Sequence, residues 1–218
     1  MKKLAIIGSG DLGHLIAHHA KTDSDFEIIG FFDDYAENRK SEKGIPILGK
    51  ISDILDSFEK NSFDCLMIGI GYKHMLFRKQ IFDQFSTLIP FANIIHSSCF
   101  IDPSVKVGSG IFILPGCTLD QNIEIGNNIL LNTGVTIAHD TNIGDHCFLS
   151  PRVAVAGKVV IQESCIVGIN STIIDHITIV PNTQIAGGAV VIKDINEPGL
   201  YAGVPAKWKK KHMITFNK

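Results

Sequence analysis

From Ile95 to Ile192 the chain repeats in sixes. Ile95, Ile101, Val107, Ile113, Leu119, Ile125, Leu131, Ile137, Ile143, Leu149, Val155, Ile161, Val167, Ile173, Ile179, Ile185 and Val191 fall on one phase, without insertion or deletion. The position four later is usually small or β-branched, as at Cys99, Cys117, Val135, Thr141, Cys147, Val153, Cys165, Ser171 and Ala189. Gly follows the aliphatic residue at Gly108, Gly126, Gly144 and Gly168. Neither a helical nor a strand period produces this register. A short fixed repeat cannot bury its apolar positions one unit at a time. It must stack coil on coil into a solenoid with one continuous core.

The expected solenoid is a three-sided β-helix, one hexad to a side and 18 residues to a coil, with a little over five coils. The aliphatic residue points into the prism and the small one sits near a corner. Turns need residues that tolerate positive φ, and Asn127, Asn128, Asn132, Asn142, Asn170 and Asn182 are assigned to that use. Cys99, Cys117, Cys147 and Cys165 occupy the small inward position and read as core residues, as does Cys65 in the run Cys65–Ile68. The cysteine spacing holds no metal signature. Spacing does not set the hand of the coil, and the usual crossover rule favours the right-handed one.

The formal net charge of −2 gives no reason to expect nucleic acid or an acidic membrane as partner. Charge is uneven, however. Residues 193–218 carry six Lys and two acids, whereas 95–192 carry three basic and seven acidic residues. No apolar run is long enough to span a bilayer. Lys2 and Lys3 lead into a strand rather than a signal peptide, so the chain reads as cytoplasmic.

Ahead of the repeat, residues 1–93 read as a small α/β domain with parallel strands. A strand over Lys3–Ile7 runs into Gly8-Ser9-Gly10-Asp11-Leu12-Gly13 and then a helix to about Lys21. In this strand-turn-helix context the glycines allow close backbone approach, and the helix N-terminus offers free N–H groups to a phosphate. A second strand, Glu27–Phe32, ends in Asp33-Asp34. These acids either hold the ribose or base of a nucleotide or cap the strand and face water. Strands are also expected over Ile45–Gly49, Asp64–Ile70 and Thr87–Phe91, and helices over Asp53–Lys60 and His74–Phe85. A polar loop is expected over Asn38–Lys43. Gly69-Ile70-Gly71-Tyr72-Lys73 is a second candidate for close ligand approach, with Lys73 for phosphate contact, and His14 lies beside the first glycine loop.

Within the repeat, His139-Asp140 stands out. Two places beyond inward Ile137, His139 should face out near a turn. An exposed histidine beside a carboxylate is either a general base with its orienting acid or ordinary turn chemistry. His146 and His176 lie one place further along their hexads and are also expected to be exposed. After Val191 the repeat breaks. The segment through Pro198-Gly199 and Tyr201-Ala202-Gly203-Val204-Pro205-Ala206 should close the open end of the solenoid. The divisions are thus 1–93, 94–192, and 193–218 as cap and basic tail.

The repeat, His139-Asp140 and the Gly-Val-Pro-Ala ending resemble the hexapeptide-repeat acyltransferases. The N-terminal glycine loop and Phe31-Phe32-Asp33-Asp34 narrow the resemblance to the sialic-acid O-acetyltransferase-like family. That family includes N-acetyltransferases of nucleotide-linked 4-amino-4,6-dideoxy sugars. The resemblance implies a left-handed β-helix, a homotrimer and acetyl-CoA as cosubstrate without a metal. It also implies a place in lipopolysaccharide, O-antigen or other glycan biosynthesis. By matching position, Gly8, Ser9, Gly10, His14, Asp33, Asp34, Gly69, Gly71 and Lys73 would bind the nucleotide sugar. His139 would be the general base, Asp140 its orienting acid, Asn132 an active-site neighbour, and Gly157 the backbone donor to the acetyl carbonyl. The family often has a histidine two residues before a Ser-Pro pair, and here Phe148 stands before Ser150-Pro151, so no second histidine is assigned.

Three other functions compete. Sugar O-acetylation differs in acceptor. A non-catalytic nucleotide-sugar-binding module would not need the His-Asp pair. A nicotinamide oxidoreductase would need the second mononucleotide-binding half, which the sequence lacks.

Overall fold

The computed structural model describes residues 1–36 and 41–211. Two compact units are present, Met1–Ile94 and Ile95–Lys218.

In the first unit, β1 (Lys2–Ile7) lies at the middle of a sheet between β2 (Phe26–Phe32) and β5 (Cys65–Ile68), both parallel to it. Outside β2 comes β4 (Ile45–Gly49), also parallel, and then β3 (Ser41–Glu42), antiparallel to β4. Leu4, Ala5, Ile6 and Ile7 are all fully buried. Successive strand residues face opposite sides, so both faces of the sheet are covered. Ala5 and Ile7 join Phe32, Leu66 and Ile68 in one core with Ile54 of α2 (Ile54–Glu59) and Ile81, Phe82 and Phe85 of α3 (Met75–Phe85). Over Phe31 lies α1 (Asp11–Asp23), whose His14 ring meets the Phe31 ring edge-on at 4.9 Å.

Several details differ from the sequence reading. Thr87–Phe91 forms no strand; Phe91 makes only a single bridge to Leu66. The strand expected over Asp64–Ile70 stops at Ile68, and Tyr72–His74 form a 3-10 turn before α3. The loop expected over Asn38–Lys43 is not a loop throughout, because Ser41–Glu42 pair in a hairpin with β4. Residues 38–40 of it lie outside the described residues.

The second unit is a left-handed parallel β-helix. Seventeen two-residue strands, from Ile94–Ile95 to Val190–Val191, pair in parallel with the strands 18 residues before or after them and build three flat sheets. The hexad aliphatics from Ile113 to Val191 line one core, and most are fully buried. The corners are equally regular. Every sixth residue from Gly110 to Gly188 has positive φ: Gly110, Gly116, Asn122, Asn128, Gly134, Asp140, His146, Arg152, Lys158, Ser164, Asn170, His176, Asn182 and Gly188. Of the asparagines assigned to this role, Asn128, Asn170 and Asn182 have it. Asn127 and Asn132 sit one or two places too early in their turns, and Asn142 is in a strand. Gly108, Gly126, Gly144 and Gly168 do not have positive φ. They are needed for packing: a Cβ on Gly108 would come within 2.5 Å of Asn127 Oδ1, and one on Gly168 within 2.5 Å of the Gly187 nitrogen.

The small inward position does more than fit a corner. Cys117, Cys147, Cys165, Thr141 and Ser171 each donate to the carbonyl fifteen residues on: Asn132, Gln162, Val180, Ala156 and Ala186 respectively, at 2.9–3.3 Å. A thiol or hydroxyl there satisfies a corner carbonyl of the next coil, which an aliphatic side chain could not do. Cys117, Cys147 and Cys165 are buried, but Cys99, near the first coil, is only partly so. All five cysteines are free.

Beyond Val191 the coil shortens. Ile195 bridges Ile179, and β23 (Leu200–Ala202) pairs in parallel with Gln184–Ile185. Both steps are sixteen residues instead of eighteen. Next, Gly203–Ala206 turns back onto Val190, and β24 (Lys207–Lys210) runs antiparallel to β23, ending the sheet.

Candidate active site

The strongest chemical grouping in the second unit lies at the corner after Thr136–Ile137. His139 and Asp140 are adjacent, and their side chains converge: His139 Nδ1 is 2.9 Å from Asp140 Oδ2. The positive φ of 59° at Asp140 makes this possible by turning its side chain back along the corner. Both side chains remain accessible, at 44% and 40%. The second Asp140 oxygen accepts a hydrogen bond from Asn122 Nδ2 at 3.1 Å. These bonds, first that with His139 and then that with Asn122, hold the Asp140 carboxyl below the usual range, and the positive charge of Lys158 adds to the effect. An ionised carboxylate only accepts hydrogen bonds, so in the neutral form of the ring the His139 proton sits on Nδ1 and Nε2 keeps its lone pair. That is the arrangement of a general base.

Gly157 lies one coil further, at the equivalent position. A Cβ there would come within 2.8 Å of both Cε1 and Nε2 of His139. Gly157 is therefore glycine because the imidazole occupies its side-chain space. Its carbonyl accepts from His176, while its N–H donates to nothing among the described residues. Asn132 sits one corner earlier in the same coil. Its Oδ1 accepts from the Thr133 N–H at 2.9 Å, and no hydrogen bond joins it to the His-Asp pair among the described residues.

His146 corrects the expected exposure. It is 3% exposed, in a buried column with Asn128 and Ser164, and its Nδ1 is 3.0 Å from Asn128 Nδ2. His176 is exposed as expected. Three of the five cysteines are poor nucleophiles. Burial pushes the Cys147 thiol up, a hydrogen bond with the Cys99 thiol followed by burial does so at Cys117, and burial raises Cys65 to about 11.

In the first unit the two glycine loops interlock. Gly8 has φ 97°, a Cβ on Gly13 would strike the Gly8 carbonyl oxygen, and one on Gly69 would lie 2.6 Å from Gly13 Cα. Arg78, 2% exposed, donates to the carbonyls of Ile68 and Ile70 at 2.9 and 3.1 Å and so fixes the backbone on both sides of Gly69. Its complete burial lowers its pKa to about 10.

Two glycines fit no such account. Gly10 and Gly71 have φ −75° and −77°, and a Cβ on either would meet nothing of the described residues within 4 Å. Neither the backbone nor the packing of this chain requires glycine there, while a ligand drawn close to the backbone would. Gly10 caps α1 without a side-chain bond, leaving the first N–H groups of that helix for an anion. Lys73, in the exposed turn beyond Gly71, is within the same loop.

The two acids after β2 are largely engaged within the chain. Asp33 Oδ2 accepts from the N–H and Oγ–H of Ser9 at 2.8 and 2.6 Å, and Oδ1 accepts from the Tyr35 N–H. Asp33 thus shapes the glycine loop. Asp34 Oδ1 accepts from the Ile51 N–H at 2.8 Å. His14 Nε2 is buried without a hydrogen-bond partner among the described residues.

Sequence reasoning missed Asn122, Lys158 and Arg78. The only available signal for the first two was the 18-residue coil, which puts Asn122 and Lys158 on either side of Asp140. Among the described residues no group of three or more His, Cys, Asp or Glu could hold a metal ion, and no helix is long and apolar enough to cross a membrane.

Residues 3–85 match the family model of the PglD N-terminal domain. The acetyltransferase domain of PglB from Neisseria gonorrhoeae has a similar structure, with a TM-score of 0.86 and 25% identity, covering 96% of this chain and 100% of that one. PerB from Caulobacter crescentus, solved in complex with CoA and GDP-perosamine, gives a TM-score of 0.84 and 26% identity, covering 96% and 98%. WeeI from Acinetobacter baumannii shares the fold, at 17% identity and a TM-score of 0.63. Among curated proteins none matches.

Proposed function

We propose a function for this chain from the family to which it belongs, the hexapeptide-repeat acetyltransferases related to PglB and PerB. It transfers the acetyl group of acetyl-CoA to the amino group of a nucleotide-linked amino sugar. The observation that carries this reading is the His139-Asp140 pair, with its bare Nε2 facing away from the carboxylate. The likeness to PerB with CoA and GDP-perosamine supports both substrates. The acceptor class we assign is a 4-amino-4,6-dideoxy sugar.

In this mechanism His139 takes the proton that the attacking amine must lose, because Nε2 is the unprotonated ring nitrogen. Asp140 holds the ring and balances the imidazolium that forms. The Gly157 N–H, which has no acceptor among the described residues, stabilises charge developing on the thioester carbonyl oxygen. The carbon–nitrogen bond forms first, giving a tetrahedral intermediate; its collapse breaks the carbon–sulfur bond, and CoA leaves as the thiol by taking back the proton that His139 holds. Direct transfer in a ternary complex fits a prism whose Cys117 and Cys147 thiols are raised above the useful range. Incubation with acetyl-CoA and a panel of UDP-, dTDP- and GDP-linked 4-amino sugars tests the reading. CoA release with at least one acceptor is expected, and release with none contradicts it.

The nucleotide sugar belongs to the first unit, through Gly8, Ser9, Gly10, His14, Asp33, Asp34, Gly69, Gly71 and Lys73. Asp33 acts chiefly by holding Ser9. Gly10→Val should fold normally, since its side chain meets open space. It should weaken nucleotide-sugar binding roughly tenfold to a hundredfold, the cost of forcing a branched side chain into an occupied site. Calorimetry with each substrate separately reads this, and acetyl-CoA binding should survive. Equal loss of both would contradict the division of labour.

A homotrimer is the assembly we assign. Val160, Ile169, Ile174 and Ile192 are exposed aliphatic residues on the prism and support a partner surface. Phe112, an outward position, does not, because it is already fully buried in the single chain. Sedimentation velocity should give a trimer, and a fully active monomer would contradict it. Five free thiols support a reducing, cytoplasmic setting.

A further inference from the structure

We propose that Asn122 is a positioning residue for the acetyl transfer, aiming the Asp140 carboxylate at His139 from the neighbouring coil. The inference rests on the reading of His139 as general base. A carboxylate rotates easily about its last bond, and Asp140 stands on an accessible corner. One contact with His139 would leave it free to swing. The Asn122 amide takes the other oxygen at 3.1 Å, so Oδ2 stays turned to His139 Nδ1.

Asn122 is itself firmly held. It occupies the positive-φ position of its turn, at 57°. Its backbone N–H donates to Ser104 Oγ at 2.7 Å, and Ser104 Oγ donates to Asp102 Oδ1 at 2.6 Å. The bonds from Ser104 hold the Asp102 carboxyl below its ordinary range, so an ionised group anchors the series. Ser104, Asn122 and Asp140 are 18 residues apart, one to a coil. The parallel stack that builds the prism thus delivers a fixed donor to the catalytic corner. A positive-φ turn alone would be served by glycine, as at Gly110, Gly116, Gly134 and Gly188. Asparagine at 122 adds the amide.

Asn122→Gly tests this without straining the turn, because glycine accepts the same φ. Asn122→Asp keeps the shape and replaces the donor by a second carboxylate facing Asp140. With the full-length protein, kcat should fall about tenfold in the glycine variant, the value of one hydrogen bond to a charged group. It should fall further in the aspartate variant. KM for both substrates and the melting temperature should hold. Nitrogen-15 spectra of the neutral His139 ring should show the Nδ1–H tautomer dominant in the native protein and depleted in both variants. Folded variants with native kcat and native tautomer populations would overturn the proposal. So would a loss of melting temperature with both unchanged, which would mark a purely structural residue. The tautomer is read without substrate. If the native protein transfers no acetyl group, the proposed function fails, and the spectra still decide whether Asn122 orients the pair.

Discussion

His139→Ala should lower kcat by about 10²–10⁴, the usual worth of a positioned general base, with both substrates still bound. The ring is not a core residue: its side chain is 44% exposed, and it packs over a glycine, so its removal opens no buried cavity. The loss should therefore appear in the chemical step and not in folding. Asp140→Asn costs less, since the base remains. An amide can still accept from Nδ1, but it supplies no charge for the imidazolium and can equally offer its NH₂ to the ring, which favours the wrong tautomer. Steady-state kinetics with CoA release, alongside calorimetry of each substrate, separates these effects. A His139→Ala enzyme with near-native kcat, where chemistry limits the rate, would remove His139 from the mechanism.

Ile143→Asp should abolish the folded prism. Ile143 is 1% exposed, within the single core that runs the length of the coils. An unpaired carboxylate there costs several kcal/mol even when it protonates to avoid the charge. A typical domain has only about 5–15 kcal/mol in total. Each coil also supplies the hydrogen-bond edge for the next, so a break at Ile143 unseats Ile125 and Ile161 on either side. Ile143→Val, the control, should cost only about 0.5–1.5 kcal/mol. Thermal melts followed by circular dichroism read both. A soluble Ile143→Asp protein with unchanged melting would mean that the hexad aliphatic is not the element that holds the prism.

The prism was legible because one residue in six meets the same environment in every coil, so its identity repeats. The strands themselves are two residues long, too short for propensity to reveal. What the sequence concealed is contact made across coils or across the chain. His146 sits at a position that is open at His176 and closed beside Asn128. Asp33, read as a ligand contact or a strand cap, spends one oxygen on Ser9, 24 residues away. Asn127, Asn132 and Asn142 look like turn residues by type, yet the φ pattern depends on hexad position alone. The convergence of His139 on Asp140 needed the backbone value at Asp140, which residue type only permits. In the first unit, glycine by itself does not separate packing from ligand approach: Gly13 and Gly69 are needed by the fold, and Gly10 and Gly71 are not.

The most direct test of the central claim is the identity of the product. The purified protein is incubated with acetyl-CoA and each nucleotide-linked 4-amino sugar, and the sugar is recovered for mass and proton spectra. The expected product carries one added acetyl group on the nitrogen at carbon 4, as an amide that resists hydroxylamine, formed in step with CoA release and lost in His139→Ala. An ester cleaved by hydroxylamine, or no acetylated sugar from any member of the panel, would contradict it.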